Sequence, residues 1–286
     1  MPSQDLSLTC IDSIQLPATL YAAATPKAVI VIGSALGVPR KIYRVFAEFL
    51  IKHDYSVLTF DYRGFAPNTE QKDLHLAQWG SHDLKAAIDY ASQLADGKPM
   101  FLLGHSIGGQ VAALADSLDK VRGLIFVASS FPYWKRWPMP KRLSIAMLFK
   151  VLTPLIAAFT KSFPSKAIGL SSTNLPSVLV AEWARWMSKD DYLLDPEFGL
   201  DKSAYTNRRG PALAFGFDDD DLVPEASFDK LLSAYGRCDL QRRFIKTQDT
   251  RWNTGPVGHM GFFKARHENP LWNECLQWLE QHSETS

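Results

Sequence analysis

The sequence predicts an α/β protein in which a mostly parallel β-sheet carries helices on both faces. Short apolar runs of strand length alternate with segments whose apolar residues recur at helical spacing. This alternation stops at about residue 131 and resumes at about residue 208. We therefore expect a core formed by residues 1–130 and 208–286, with residues 131–207 inserted as a helical cap, or lid. The length of 286 residues is sufficient for such a core.

The elements before the insertion follow from these patterns. Residues 6–22 alternate loosely and predict an edge hairpin interrupted by Pro17. Buried strands are predicted at 28–32, 55–60, 100–103 and 124–128, where apolar residues are continuous. Helices are predicted at about 41–52, from a Ser81 cap to Leu94, and from Gln110 to Ala115.

The elements after residue 130 are predicted in the same way. Within the insertion, the spacing predicts helices over 143–158 and 177–187. Beyond it, strands are predicted at 211–215 and 243–246, and helices at about 225–235 and 270–281. The last half of the chain thus completes the sheet that the first half begins.

One stretch, Met100 to Gly109, carries the strongest chemical signal. An apolar strand runs into Gly104-His105-Ser106-Ile107-Gly108 and then into a helical pattern, which is the context of a nucleophile elbow. Gly104 and Gly108 remove Cβ atoms from a crowded turn, and the turn exposes the Ser106 hydroxyl. It also places the Ile107 N–H at a helix N-terminus, where an oxyanion is stabilised. His105 is expected to be structural, since its side chain should point away from Ser106.

Several further segments resemble a known family. They are the segments Ala35–Tyr43 (A-x-G-V-P-x-x-x-Y-like), Asp61–Gly64 (D-Y-R-G), Trp79–Leu84 (W-x-x-x-D-L), Trp183–Trp186 (W-A-R-W) and Gly258–Phe263 (G-H-x-G-F-F). With the elbow, they make the chain similar to the α/β-hydrolase superfamily, in particular to its serine-aminopeptidase and monoglyceride-lipase-like branch and to a group of bacterial predicted hydrolases. The resemblance implies the α/β-hydrolase fold and hydrolysis through an acyl-enzyme.

The order serine, acid, histidine of this superfamily selects the partners of Ser106. His259 is the candidate base. The acid lies in the run Asp218–Asp221, where the usual family pattern selects Asp220 and the count from Gly216 selects Asp219 as the alternative. Asp218 and Asp221 are expected to be solvated. Asp61–Gly64 is expected to be a structural turn.

The remaining site residues are less sharply defined. A second oxyanion donor is expected after the first buried strand, from the backbone of Ser34 or Ala35. Trp183 and Trp186 are candidates for a substrate pocket, with the core of the lid as the alternative.

Composition excludes several classes of function. A net charge of +1 without basic runs argues against nucleic-acid binding. The three separated cysteines, Cys10, Cys238 and Cys275, predict free thiols, no disulfide framework and no metal site. We expect no cofactor. Residues 1–5 lack signal-peptide features, and the apolar stretch 143–160 contains Lys150 and Pro154, so we expect a cytoplasmic protein without stable membrane insertion.

Together these features predict a serine hydrolase that cleaves an ester, thioester or amide bond of a small-molecule acyl substrate. The sequence leaves open an acyltransferase that uses the same residues, and a ligand-binding protein that kept only the fold. It does not determine the oligomeric state.

Overall fold

The computed structural model describes residues 3–64, 73–169, 171 and 173–284. Its strands are β1 Ser3–Thr9, β2 Gln15–Tyr21, β3 Ala28–Gly33, β4 Tyr55–Phe60, β5 Met100–His105, β6 Gly123–Val127, β7 Ser162–Phe163, β8 Leu175–Pro176, β9 Pro211–Phe217 and β10 Asp239–Ile245. Eight of these form one sheet in the order β1-β2-β4-β3-β5-β6-β9-β10, and β7 pairs with β8 separately. In the large sheet, β2 runs opposite to the other seven strands, which are parallel to one another. This confirms the predicted mostly parallel sheet and the edge hairpin.

The helices lie between these strands. They are α1 Arg44–Lys52, α2 Lys85–Ala95, α3 Ile107–Gln110, α4 Lys141–Met147, α5 Thr153–Phe159, α6 Ser177–Met187, α7 Ser203–Asn207, α8 Glu225–Ala234 and α9 Asn273–Ser283. Shorter 3₁₀ and π turns precede several of them, such as the π-helical turn Trp79–Leu84 before α2. The elements before and after the insertion therefore occur where the sequence predicts them, with shifts of a few residues at their ends.

The sheet separates two hydrophobic cores. Along β3, Val29 and Val31 belong to one core, while Ile30 and Ile32 belong to the other, because successive side chains of a strand point to opposite faces. Helices α2 and α8 pack in the first core, and α1 and α9 pack in the second. The predicted placement of helices on both faces is thus confirmed.

Two local predictions are wrong. Ser81 does not cap a helix, since it lies inside the π-helical turn before α2 and its hydroxyl donates to the carbonyl of Ala77 at 3.2 Å. The helix after Ser106 ends at Gln110 and continues as a 3₁₀ turn, because Tyr205 donates to the Gln110 carbonyl at 2.6 Å and takes that acceptor from a longer helix.

The insertion, residues 131–207, contains α4 to α7 and the β7–β8 pair. We call this stretch the cap segment. Helix α6 has the predicted bounds, 177–187. A π-helical turn, Leu148–Leu152, joins α4 to α5, so that Lys141–Phe159 forms one helix of 19 residues, which we call the cap helix.

The cap helix bears on the expectation of no stable membrane insertion, which rested on Lys150 and Pro154. By length and composition alone it is long and apolar enough to cross a membrane. The helix continues past Pro154, which lies just after the π-helical turn Leu148–Leu152. The three cysteines are free, as predicted.

The turn Asp61–Gly64 is held by a buried ion pair. Arg63, 1% exposed, donates from Nε to Asp83 Oδ1 at 2.6 Å and from its backbone N–H to Asp83 Oδ2 at 2.8 Å. Asp12 contacts the other side of the guanidinium at 2.5 Å. The Trp79 indole donates to the Arg63 carbonyl at 3.1 Å. These contacts fit the predicted structural role of the turn.

This ion pair leads to a stability prediction. Asp83→Ala leaves the buried Arg63 guanidinium without its main partner, which should lower the free energy of unfolding by about 3–5 kcal/mol. The matched control is Asp54→Ala, because Asp54 is exposed and lies 3.9 Å from Lys27. That change should cost less than about 1 kcal/mol. Urea denaturation measures both values, and similar losses in the two variants would contradict the prediction.

Candidate active site

Ser106 lies at the sharp turn between β5 and α3. Its backbone has φ 52° and ψ −116°, a region that residues other than glycine rarely adopt. The Ser106 N–H donates to the Val127 carbonyl of the neighbouring strand at 3.0 Å. The Ser129 hydroxyl lies 2.9 Å from the Ser106 carbonyl oxygen, which fixes the other side of the turn. The strained conformation predicted for an elbow is therefore present and is held by contacts from β6 and the residues after it.

The glycines around Ser106 are required by close backbone contacts. A Cβ atom on Gly104 would lie 2.4 Å from the Cα atom of Gly109. A Cβ atom on Gly108 would lie 2.2 Å from the carbonyl oxygen of Gly33, at the end of β3. Both distances are far below normal contact, so larger residues at these positions would push the elbow away from the sheet.

His259 and Asp220 contact each other directly. Nδ1 of His259 lies 2.7 Å from Oδ2 of Asp220, and the Asp220 side chain is buried. A carboxylate only accepts hydrogen bonds, so Nδ1 carries the proton and Nε2 has a free lone pair. Asp220 is fixed in turn by the Leu222 N–H, which donates to Oδ1 at 2.9 Å. This arrangement orients an imidazole that can accept a proton.

The other three aspartates of the loop have separate partners. Asp219, the alternative acid, accepts from the backbone N–H groups of Val257 and Gly258 at 2.8 and 2.9 Å, and so shapes the loop that carries His259. Asp218 accepts from the Thr247 N–H at 2.8 Å. Asp221 is highly exposed and forms an ion pair with Lys141 of the cap segment. Of the four, only Asp220 is hydrogen-bonded to His259.

His105 also supports the His259 loop. It is fully buried, and its Nε2–H donates to the His259 carbonyl oxygen at 2.9 Å. Its Nδ1 therefore accepts from the Tyr43 hydroxyl at 2.8 Å, and Tyr43 in turn accepts from the Ala35 N–H at 2.9 Å. Burial, and then the charge that His259 can carry, hold the pKa of His105 well below its usual value. His105 thus has the predicted structural role, because its neutral ring links the loop of Ala35, through Tyr43, to the loop of His259.

The three backbone N–H groups predicted to bind an oxyanion differ in their positions and in their hydrogen bonds. Ile107 lines the cavity described below and begins α3 directly after Ser106. Ala35 also lines this cavity, but its N–H donates to Tyr43. Ser34 is buried and is not part of the cavity wall. This geometry supports the first donor, Ile107, more than either residue predicted for the second.

Ser106 and His259 border the same cavity of about 210 Å³. The wall between them is mostly apolar, with Leu36, Val38 and Met260 among its side chains. Between these two described residues there is no hydrogen bond from Ser106 Oγ to His259 Nε2; such contacts commonly tighten only when substrate binds. No group of three or more His, Cys, Asp or Glu side chains suited to a metal ion occurs in the part of the chain that the structure describes.

The cap segment contributes to the cavity through Gly169, Ser171 and Trp183. Of the two tryptophans predicted to line a substrate pocket, Trp183 lines this cavity and Trp186 does not. Trp186 is 1% exposed and packs against Tyr192 and Phe198, with ring centroids 5.6 and 6.5 Å apart, because its position on α6 faces the core of the cap.

The sequence reasoning missed two residues of the site. Gln110 lines the cavity, and its Oε1 accepts from the Tyr192 hydroxyl at 2.7 Å. Its position four residues after Ser106 was the signal, since residues four apart share one face of a helix. Tyr43 lies within the predicted helix 41–52, and nothing in the local sequence indicates that its hydroxyl reaches both Ala35 and His105.

The amino-acid sequence matches a known protein family. The sequence profile of the family described as serine aminopeptidase, S33, matches residues 24–187, more than half of the chain. No curated protein sequence matches the chain significantly.

Solved structures match over nearly the whole chain. A soluble variant of monoglyceride lipase from Saccharomyces cerevisiae, in complex with a substrate analogue, has a TM-score of 0.71 and 15% identity, covering 100% of this chain and 97% of that one. An esterase from Pyrococcus furiosus has a TM-score of 0.65 and 14% identity, covering 99% and 92%. A thermophilic esterase from Thermogutta terrifontis has a TM-score of 0.59 and 16% identity, covering 98% and 100%. At these identities the likeness shows the α/β-hydrolase fold.

The buried His105 leads to a prediction about pH. In the folded protein its ring stays neutral, whereas in the unfolded chain it binds a proton below about pH 6.5. Stability should therefore fall as the pH drops below that value, by at most about 1.4 kcal/mol per pH unit from this residue. In His105→Gln this contribution is absent, so the variant should lose less stability between pH 7 and pH 5 than the unmodified protein. Urea denaturation at both pH values tests this, and parallel losses would contradict it.

Proposed function

This chain belongs to the serine aminopeptidase S33 family of serine hydrolases, and we propose that it cleaves an ester, thioester or amide bond through a covalent acyl-enzyme. Ser106 is the nucleophile in this proposal, His259 the base and Asp220 the acid that orients it. The observation that carries the proposal is the 2.7 Å contact between His259 Nδ1 and Asp220, in a loop that borders the same cavity as Ser106.

The proposed reaction proceeds in two halves. His259 Nε2 accepts the Ser106 hydroxyl proton while Oγ attacks the substrate carbonyl carbon, and the new oxyanion is stabilised by the Ile107 N–H. The imidazolium returns the proton to the leaving alcohol, thiol or amine as that bond breaks. A water molecule then attacks the acyl-enzyme, with His259 again taking the proton, and Ser106 leaves with its hydroxyl restored.

The cavity supports an apolar acyl group as the substrate class. Its wall is mostly apolar, and its volume of about 210 Å³ accommodates a small or medium-sized group. Trp183 contributes to this wall from the cap segment. We therefore propose a small-molecule acyl substrate for an enzyme of the esterase or lipase type, with no cofactor in the reaction.

Covalent labelling tests the nucleophile. A fluorophosphonate probe should label the protein, and Ser106→Ala should abolish this labelling and the turnover of an activated ester, because Ser106 lies in the strained elbow turn and borders the cavity. Circular dichroism should show that the variant is folded. Unchanged labelling of Ser106→Ala would refute the assignment.

Four aspartate variants test the acid. Asp220→Asn removes the carboxylate that orients His259, a change that cost about ten-thousand-fold in turnover in a well-studied triad. Asp218→Asn and Asp221→Asn should each lose less than about tenfold, because they act only through a screened charge. Asp219→Asn should fall between these limits, since it loosens the His259 loop.

The comparison uses one ester under one condition and measures turnover of all four variants. The largest loss at Asp219 would make this residue the acid. A large loss at Asp218 or Asp221, or small losses throughout, would contradict the proposed site.

A further inference from the structure

The cap segment carries most of the large hydrophobic residues that are exposed in the described structure. Thirteen large hydrophobic residues are exposed in the described structure, and nine of them lie between positions 139 and 178. They are Met139, Leu143, Met147, Val151, Leu152, Leu155, Phe159, Ile168 and Val178. Scattered exposed apolar residues are normal, but a concentration in one segment marks an interaction surface.

Five of these residues form a stripe along the cap helix. Leu143, Met147, Val151, Leu155 and Phe159 recur at every fourth position and are 51 to 82% exposed. The π-helical turn at 148–152 rotates the chain less per residue than an α-helix does, which limits the drift of the stripe around the axis. On the opposite side, Phe149 and Thr153 are buried against the rest of the cap. The helix is thus amphipathic, with an apolar face directed away from the protein.

The charges of the same segment all have one sign. From residue 120 to residue 181 the sequence contains no Asp or Glu, whereas residues 131–181 contain seven Lys and Arg. Two of the seven have acidic partners outside this stretch: Arg136 pairs with Asp190 and Lys141 with Asp221. Within the described part of the chain, the other five form no ion pair; they are Lys135, Arg142, Lys150, Lys161 and Lys166.

We propose that this surface docks the protein on a membrane that contains anionic phospholipid, with the cap helix lying in the plane of the interface. The apolar stripe would enter the boundary between headgroups and acyl chains. The unpaired cations would contact lipid phosphates, each contributing about fivefold to the affinity. The segment contains both features that favour such binding, an apolar face and uncompensated positive charge.

The contacts of the cap helix favour lying on the membrane over crossing it. Phe149 packs edge-on against Trp183, with ring centroids 5.0 Å apart, so a spanning helix would have to leave the fold. Lys150 lies in the middle of the helix, with Nζ 4.7 Å from the Trp134 ring centroid. In a spanning helix this charge would lie near the bilayer centre, whereas beside the stripe it can extend to the headgroups.

The charge also favours lipid over a second copy of the chain. Two cap segments placed face to face would bring five unpaired cations against five, with no acidic residue of the same stretch to compensate them. An anionic lipid surface supplies the opposite charge.

The docking surface reaches the cavity. Ile168, 47% exposed, directly precedes Gly169, which lines the cavity together with Ser171. A docked cap would therefore hold the cavity wall close to the lipid. The docking proposal itself does not depend on the proposed hydrolysis, and its test needs no turnover.

Vesicle sedimentation with the full-length protein tests the proposal. Binding is expected to vesicles of phosphatidylcholine with phosphatidylglycerol and to be much weaker with phosphatidylcholine alone, and added salt should release the protein by screening. Lys150→Gln with Lys161→Gln should weaken binding about 25-fold, at about fivefold for each charge. The matched control is Lys98→Gln, just before the central strand β5 and so at the opposite ends of the parallel strands from the cap segment, which should bind as the unmodified protein does.

A second variant pair tests the apolar stripe. Met147→Ser with Leu155→Ser should weaken binding at least about tenfold, because burial of each CH₂ group contributes several-fold to membrane affinity. Leu94→Ser, which also alters an exposed apolar residue but shortly before Lys98 in the chain, is the control. Since all these residues are exposed, the melting temperatures should stay the same. Ser106→Ala should bind vesicles normally, which separates this test from that of the proposed function.

Several results would overturn the proposal. Equal binding to both kinds of vesicle, or binding to neither, would remove the anionic lipid as the partner. Retention on the vesicles at high salt and alkaline pH would indicate a spanning helix. A dimer in analytical ultracentrifugation that Met147→Ser with Leu155→Ser dissociates would assign the surface to a second copy.

Discussion

Close approach of backbone to backbone at the elbow is the constraint on which the site depends. Gly33 ends β3, Gly104 lies in the neighbouring strand β5 and Gly108 in α3, and a Cβ atom on Gly104 or Gly108 would lie within 2.4 Å of other backbone atoms. This approach keeps Ser106 at φ 52° and holds α3 against the end of β3. The strain is maintained because β6 and Ser129 bind both sides of the turn. If the strands separated slightly, the serine would relax and its hydroxyl would turn away from the cavity.

A chain of buried hydrogen bonds connects this elbow to the other loops. It runs from the Ala35 N–H through Tyr43 and His105 to the His259 carbonyl, and Tyr43 and His105 each accept one hydrogen bond and donate one. Such a network sets distances between loops that share no secondary structure. Asp219 adds a second restraint by accepting two N–H groups just before His259. The imidazole is therefore oriented by Asp220 and positioned by residues that take no part in the proposed chemistry.

The cap segment combines two roles in one insertion. Its residues Gly169, Ser171 and Trp183 line the cavity and Trp186 packs into its own core, while its outer side leaves an apolar stripe and unpaired cations exposed. These roles are compatible because the side chains on one face of a helix can pack inward while those on the opposite face stay exposed. The single ion pair between Lys141 and Asp221 links the beginning of the cap helix to the loop of the candidate acid.

The sequence by itself determined where the core strands and helices follow one another along the chain. It also determined the elbow and the segments that carry His259 and the aspartates. These features depend on local patterns, such as continuous apolar runs and glycines at fixed spacing, which act within a few residues. The family pattern favoured Asp220 with Asp219 as the alternative, and the tertiary structure decided which aspartate contacts His259, because four adjacent carboxylates have the same local chemistry and differ only in what lies opposite them. It also decided the roles of Tyr43, His105 and Trp186. A side chain that joins residues far apart in the chain leaves no periodic signal, so its partner is known only when the strands and loops are packed together.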